Sequence, residues 1–199
     1  MKREELPELH YLTLIANVAS ILRRGIISHR RATKVHHESV AMQEIQERRK
    51  KVEVPGGRPL HEYVNLYICA RNPMLFLIVK KRPHEQLCVL RVSTDVLDLP
   101  GVVIADRNAS SDHVRWAAAP AGLSIVDRDL VFAEYWTHPN DQIEEWRHKS
   151  IKCAELLVPD RVDPGYVMGA YVSGAEGRAA VIGVAAKLAV DVNAHLFFR

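Results

Sequence analysis

The sequence predicts one α+β domain, on three observations. Strand-like runs rich in β-branched and aromatic residues interleave with short amphipathic stretches. No strand–helix–strand repeat connects them, which argues against a doubly wound parallel sheet. The chain has 199 residues, a length that suits a single domain, here 1–199, with a sizeable core. A hydrophobic fraction of 48% with 26% charged residues excludes a predominantly disordered chain.

Taken in order, "TLIANVASILRRG" reads as an amphipathic helix, with Thr13 as its cap, a stripe of Ile15, Val18 and Leu22, and Gly25 as its stop. "ISHRRATKVHH" is basic and irregular. "SVAMQEIQERRKK" reads as a second helix that gathers cations at its C-terminal end, where the helix dipole favours them. "VPGGRPLHE" reads as a loop. Residues 28–61 are thus long and polar for a connector, and such segments tend to be functional.

"YVNLYICA" is a strand by composition. "RNPMLFLIVKK" is a short buried helix, because Asn72 followed by Pro73 is a cap and first-turn signature. "LCVLRVS" and "GVVIA" are strands. From Asp106 to Trp146 the pattern is weak, with a helix in "DRDLVFAEYW" and loops around it. "IKCAELLVPDRV" is a strand covered on both faces, with Ala154, Leu156 and Val158 pointing one way and Cys153, Glu155 and Leu157 the other. "YVMGAYV" is a strand, "AEGRAAVIGVAAKLA" a helix and "AHLFF" a terminal strand.

The net charge of +3 is a mild basic bias, compatible with a polyanionic partner. Cys69, Cys88 and Cys153 are scattered through apolar runs without ligand spacing, so no metal site is expected and the thiols should be reduced and buried. No signal-like segment or run of transmembrane length occurs, so a cytoplasmic protein without a membrane partner is expected. No long apolar surface helix demands a dimer, which leaves a monomer as the expectation. "SGAEGRAAVIG" lacks the dinucleotide GxGxxG spacing, and no P-loop or GxSxG elbow is present.

Glu155 stands out, since a carboxylate in a doubly covered strand is costly unless paired. Two readings are open: a strand-end acid leaning out to Lys152 or Arg161, or a buried acid that hydrogen-bonds a ligand hydroxyl. Arg48 and Arg49 are either a solvated helix end or a source of one inward guanidinium, since neighbours on a helix project about 100° apart. "HVRW" and "WRHKSIK" mix aromatic residues with cations in the manner of single-stranded nucleic acid sites, or are ordinary surface and packing.

The ordered motifs "HYLTLIANVASIL", "IQERR", "YVNLYICARNPML", "DRNAS" and "KCAELLV" resemble those of the DarT family, DNA ADP-ribosyltransferase toxins of DarT–DarG toxin–antitoxin systems. The resemblance runs over nearly the whole chain. It implies an ADP-ribosyltransferase-like fold in which two small central sheets and flanking helices form an NAD cleft. It implies transfer of ADP-ribose from NAD, as co-substrate, to a thymidine base in single-stranded DNA, with a macrodomain (DarG-like) antitoxin as a partner. An acceptor of RNA or protein, or a catalytically inactive nucleic-acid-binding module, are the alternatives.

Carried onto this chain, the resemblance makes Glu155 the catalytic glutamate and Arg48 or Arg49 the catalytic arginine. It points to His10, Tyr11, Thr13, Asn17, Arg48, Tyr67 and Arg71 for NAD, with residues 28–61 as a covering segment. Residues 108–152 become the DNA-contacting loop region. Its DNA-contacting candidates are Arg115, Trp116, Tyr135, Trp146, Arg147, His148, Lys149 and Lys152, joined by Arg71 and Met74 from the earlier motif. The family's first-motif histidines are Tyr11 and Leu14 here, and the glycine of its "DGNA" is Arg107. On this reading Glu155→Ala should abolish transfer while leaving the fold intact.

Overall fold

The computed structural model describes residues 1–40 and 42–199. In chain order the strands are β1 (Leu9–Leu14), β2 (Ile26–Ile27), β3 (Glu53–Val54), β4 (Arg58–Pro59), β5 (Tyr63–Tyr67), β6 (Leu87–Val92), β7 (Val103–Ala105), β8 (Trp116–Ala118), β9 (Glu155–Pro159), β10 (Arg161–Val162), β11 (Val167–Val172) and β12 (Val190–Val192). The helices are α1 (Val18–Arg24), α2 (His29–Ala32), α3 (Gln43–Arg49), α4 (Pro73–Val79), α5 (Arg128–Phe132), α6 (Gln142–Ile151) and α7 (Ala175–Val184).

The architecture is α+β, but the two separate central sheets expected above are one. Eight strands run in the order β12-β11-β6-β1-β5-β9-β7-β8, and two ribbons, β2/β10 and β3/β4, stand apart from it. The large sheet nonetheless has two halves. β1 and β6 share six paired positions and β5 and β9 share five, whereas β1 meets β5 at the single pair His10–Tyr67. The two four-stranded halves are thus joined at this seam by a single register position.

β9 shows why the alternation in the sequence was readable. Ala154, Leu156 and Val158 lie in the main core, while Leu157 packs with Tyr63, Ala105, Val54 and Leu60 on the opposite face. The leucines of β9 are fully buried, each worth about 1.5–3 kcal/mol over an exposed position. α4 forms where Asn72 and Pro73 predict it. Asn72 Oδ1 accepts from the amides of Met74 and Leu75, both at 3.0 Å, and its Nδ2 donates to the Cys69 carbonyl.

The N-terminal helix begins later than expected. Thr13 lies in β1, not at a helix cap, and α1 starts at Val18 after a 3-10 turn over Ile15–Asn17. Tertiary pairing to β6 overrides the helical spacing of the isolated stretch. Gly25 ends α1 as expected, at φ 85°, with its amide on the Ile21 carbonyl at 2.7 Å. The second helix is shorter than "SVAMQEIQERRKK"; its expectation at Ala41 lies outside the described residues. "VPGGRPLHE" contains the β3/β4 hairpin and a 3-10 turn over Leu60–Glu62.

Residues 108–152 are not a loop region. They contain β8, α5 and α6, and α6 is capped by Asp141, whose carboxylate accepts from the Glu144 amide at 2.9 Å. "AHLFF" forms a 3-10 turn over His195–Phe197, and the terminal strand is β12, which adds parallel to β11. All three cysteines are free and buried, and burial pushes the thiols of Cys88 and Cys153 up to about 12, so both are inert. No helix among the described residues is long and apolar enough to cross a membrane.

Candidate active site

A cleft of about 1360 Å3, counting its open mouth, lies along the β1/β5 seam. β1 contributes Tyr11, Leu12 and Thr13; β5 contributes Tyr63, Val64, Asn65 and Tyr67. α1 and Gly25 close one end. Much of the opposite wall comes from residues 28–61, through His29, Val35, His37, Val40, Ile45, Arg49 and His61. This segment is tied down by Asn17, whose Nδ2 donates to the Glu38 carbonyl at 2.7 Å and to Thr13 Oγ1 at 3.2 Å.

Glu155 starts β9, paired with Tyr67 on one side and Ala105 on the other, and has no exposed surface. It does not lean out to Lys152 or Arg161. Arg49 Nη1 and Nη2 donate to its two oxygens at 3.0 and 3.1 Å, and the Ala109 amide donates to Oε1 at 3.0 Å. Burial opposes the Arg49 charge, but the carboxylate beside it overrides that and raises the guanidinium further. The fork geometry is bidentate, the arrangement that arginine makes and lysine cannot. Arg49 is buried and lines the cleft, while Arg48 is exposed. The two arginines therefore do not share the site.

The amide on Glu155 is delivered by the "DRNAS" turn. Asp106, 2% exposed, accepts from Arg107 Nε and Nη2 at 3.1 and 3.0 Å and from the Arg115 amide and Nε, both at 2.8 Å. The two cations close residues 106–115 into a stapled loop, and the Asn108 amide anchors it to the Ser150 carbonyl. No glycine is needed at Arg107, because the turn keeps an ordinary negative φ there and uses the side chain as a brace. Sequence reasoning quoted this motif without seeing Asp106 as its hub; a buried acid flanked by arginines at one and nine residues was the available signal.

Tyr11, Thr13, Asn17 and Tyr67 line the cleft. Burial, and then the neighbouring Glu155, pushes the Tyr67 phenol well above its usual range; burial alone raises that of Tyr11. His10 lies apart from these four residues. It is buried outside the cleft lining, with Nδ1 3.3 Å from the Tyr67 carbonyl and Nε2 3.2 Å from Glu8, so it braces the seam. His29 and His61, missed in the sequence, meet in the cleft wall with ring centroids 4.3 Å apart and planes tilted by 38°. Burial, the neighbouring imidazole and Arg49 hold His61 down at about 4.

The expected DNA contacts divide. Met74 lines the cleft, and Tyr135 and Trp146 are 67% and 63% exposed. Trp116 is half-buried in β8. Arg115 is engaged by Asp106 and by the Ile125 carbonyl, Arg147 by Glu144 at 2.7 Å, and Lys149 by Glu145 at 2.6 Å. His148 and Lys152 are turned inward by α6 and are buried. His148 bridges His138 and the Leu130 carbonyl, and Lys152, 1% exposed, donates to the Val131 carbonyl at 2.9 Å. Among the described residues no cluster of three or more His, Cys, Asp or Glu could hold a metal.

Residues 10–198 match the family model described as "ssDNA thymidine ADP-ribosyltransferase, DarT". A DNA ADP-ribosyl transferase–DNA ADP-ribosyl glycohydrolase fusion protein of Thermosipho africanus is 32% identical over 179 residues, covering 85% of this chain. The chain spans only 43% of that relative's length. A DNA ADP-ribosyl transferase of Thermus sp. is 32% identical over 159 residues, 75% of this chain and 73% of the relative. The structure of Thermus sp. 2.9 DarT in complex with ADP-ribosylated ssDNA superposes with a TM-score of 0.83 at 25% identity, covering 99% of this chain and all of that one. With a seam-spanning cleft, a buried Arg49–Glu155 pair and a match over residues 10–198, the chain belongs to the DarT family of single-stranded DNA thymidine ADP-ribosyltransferases.

Proposed function

We propose that this protein transfers ADP-ribose from NAD to a thymidine base in single-stranded DNA and releases nicotinamide. The observation that carries the reading is the buried Arg49–Glu155 pair, whose arginine lines the cleft while the carboxylate lies directly behind it. In the reaction the bond between nicotinamide and ribose C1 breaks, a bond forms from C1 to a ring nitrogen of thymine, and that nitrogen gives its proton to the Glu155 carboxylate, which passes it to water as the product leaves. The ribose becomes oxocarbenium-like between those events, as in glycoside hydrolysis.

Glu155 supports this step as a fixed negative group beside the developing positive charge, and accepts hydrogen bonds from the ribose hydroxyls. Its dry position strengthens both effects. Arg49 and the Ala109 amide hold the carboxylate in one orientation, so it does not reorganise as charge develops. Arg49 also presents its guanidinium to the cleft, where it steadies the thymine as its proton leaves. Tyr11, Thr13, Asn17 and Tyr67 hold NAD against the seam, under a cover formed by residues 28–61. Tyr135 and Trp146 are the exposed rings on which flanking bases stack.

The Thermosipho relative joins its transferase to a DNA ADP-ribosyl glycohydrolase. That supports a macrodomain antitoxin that removes the mark as this protein's partner. The test is to mix the protein with NAD and single-stranded oligonucleotides of varied composition and weigh the products. An ADP-ribosyl adduct on thymidine-containing strands alone is expected, and annealing a complement should prevent it by pairing the ring nitrogen. Adducts on thymidine-free strands, RNA or protein would replace thymidine as the acceptor.

A further inference from the structure

Lys152 caps the C-terminal end of α6 and is 1% exposed, yet among the described residues no carboxylate pairs with it. Its Nζ donates to the Val131 carbonyl at 2.9 Å, lies 5.9 Å from the Trp136 ring centroid and sits 3.6 Å from Cys69 Sγ. A buried ammonium with so little compensation is costly. Burial accordingly holds the amine below its usual range, with the neighbouring Cys69 pulling the other way. Arg71 adds to the lowering through its charge; its guanidinium lies over the Phe198 ring, with Cζ 4.1 Å from the centroid. The neutral amine, the form that acts as a nucleophile, is more available as a result.

Cys69 supplies the other half. It is 9% exposed, against 0% for Cys88 and 3% for Cys153, so it is the thiol that a small oxidant reaches first. Besides Lys152, its Sγ meets the Arg71 carbonyl at 3.6 Å, a weak contact that leaves the sulfur open to reaction. The two side chains also bracket the catalytic pair of strands. Cys69 follows β5 and Lys152 precedes β9, the strands that pair Tyr67 with Glu155, and between them the Ile68 amide donates to the Ala154 carbonyl at 3.1 Å. A covalent link here would close the β5–β9 ladder at the end that carries Glu155.

We propose that Cys69 and Lys152 form a modification site for hydrogen peroxide, which joins them through a reducible Sγ–O–Nζ bridge. One peroxide converts the Cys69 thiol into a sulfenic acid and leaves as water. A second oxidises the pair by two further electrons. A bond forms between the sulfenic oxygen and Nζ, the sulfenic O–H and one amine N–H are lost, and the peroxide O–O bond breaks to give two waters. Two peroxides thus become three waters, and their remaining oxygen stays in the bridge. Lys152 loses its charge, which removes the cost of burying it. The flexible lysine stem takes up the approach from the 3.6 Å contact, so neither strand has to shift.

The test is to treat the full chain with hydrogen peroxide and weigh it intact and after trypsin, with wild type, Cys69→Ser and Cys153→Ser. Wild type and Cys153→Ser should gain one oxygen and lose two hydrogens, about +14 Da, whereas Cys69→Ser should not. Trypsin should then fail to cut after Lys152, and the peptides holding Cys69 and Lys152 should stay joined until dithiothreitol separates them. Lys152→Met is the complementary variant and should also lack the bridge; should it fold poorly, the tryptic map of wild type decides alone. Because the link closes a long loop, with 83 positions between its ends, the unfolding equilibrium constant in urea should fall about a hundredfold on oxidation and recover with reductant. An unchanged mass, a Cys69–Cys153 disulfide, a sulfinic acid at Cys69 with Lys152 still cleaved, or a bridge that persists in Cys69→Ser would overturn the proposal.

Discussion

Arg49 and Glu155 lie 106 residues apart in sequence and meet as a bidentate pair with both oxygens engaged. Neither is free of the other energetically. Removing one partner of a buried pair strands the remaining charge, at about 3–5 kcal/mol. Glu155→Ala is therefore predicted to destabilise the protein as well as silence it, contrary to the sequence-based expectation of an intact fold. Glu155→Gln keeps shape and some acceptor capacity, and should lose activity with a smaller loss of stability. Arg48→Ala, at an exposed position, should stay within about 0.5 kcal/mol. Urea unfolding of wild type, these three variants and Arg49→Ala, which should lose as much as Glu155→Ala, checks the order; equal losses for Arg48→Ala and Arg49→Ala would contradict it.

Asp106 acts at one remove. It touches nothing in the cleft, yet its four hydrogen bonds hold the loop that presents the Ala109 amide to Glu155. Asp106→Asn is predicted to lower kcat by more than tenfold with a smaller change in the KM for NAD, because the carboxylate of Glu155 loses orientation while all of the cleft lining except Asn108 comes from other segments. Arg115→Ala should show a weaker form of the same split. A rise in KM for NAD at constant kcat would assign the loop to binding instead.

The legibility of these features follows the range of the interactions that make them. β9 and α4 were readable because alternation and an Asn-Pro cap are local signals. The end of β1, Thr13 and Leu14, was misread as the start of a helix because its state is settled by six pairs with β6, far along the chain. α6 escaped notice because it is largely polar, with its apolar side supplied by Ile151 and the inward turn of His148. Arg48 and Arg49 could not be separated, since the sequence does not give the helix's rotation. The surroundings of the cations expected at DNA were hidden for a related reason: charge is visible in a sequence, but its pairing with Glu144, Glu145 or Asp106 is not.

Gly25 is the glycine on which the cleft's end depends. At φ 85° it sits in a region that favours glycine, and a Cβ there would lie 2.2 Å from the Val162 carbonyl oxygen on β10. Gly25→Ala must displace backbone, not a flexible side chain. A loss of at least 2 kcal/mol is expected, roughly the left-handed strain plus the clash. The β2/β10 ribbon should open with it, so amide exchange at Ile26 and Ile27 should accelerate more than exchange in β9. Uniform acceleration throughout the sheet would mean that the damage is global.

Glu8 predicts the protein's behaviour in acid. Burial would raise its carboxyl, but hydrogen bonds from His10, Arg91 and Tyr171 outweigh that and hold it at about 2. In the unfolded chain the same group titrates near its ordinary value of about 4.3. The folded state therefore binds this proton less readily than the unfolded state, and its contribution is complete above about pH 5. It is lost as pH falls from there toward 2, to a total of about 3 kcal/mol. Because His10 links Glu8 to the Tyr67 carbonyl at 3.3 Å, acid should loosen the β1/β5 seam before the rest of the sheet. Glu8→Gln removes the titration, so the difference in unfolding free energy between wild type and variant should shrink steadily below pH 5. Parallel losses in the two proteins over that range would show that the acid limb belongs to other carboxylates.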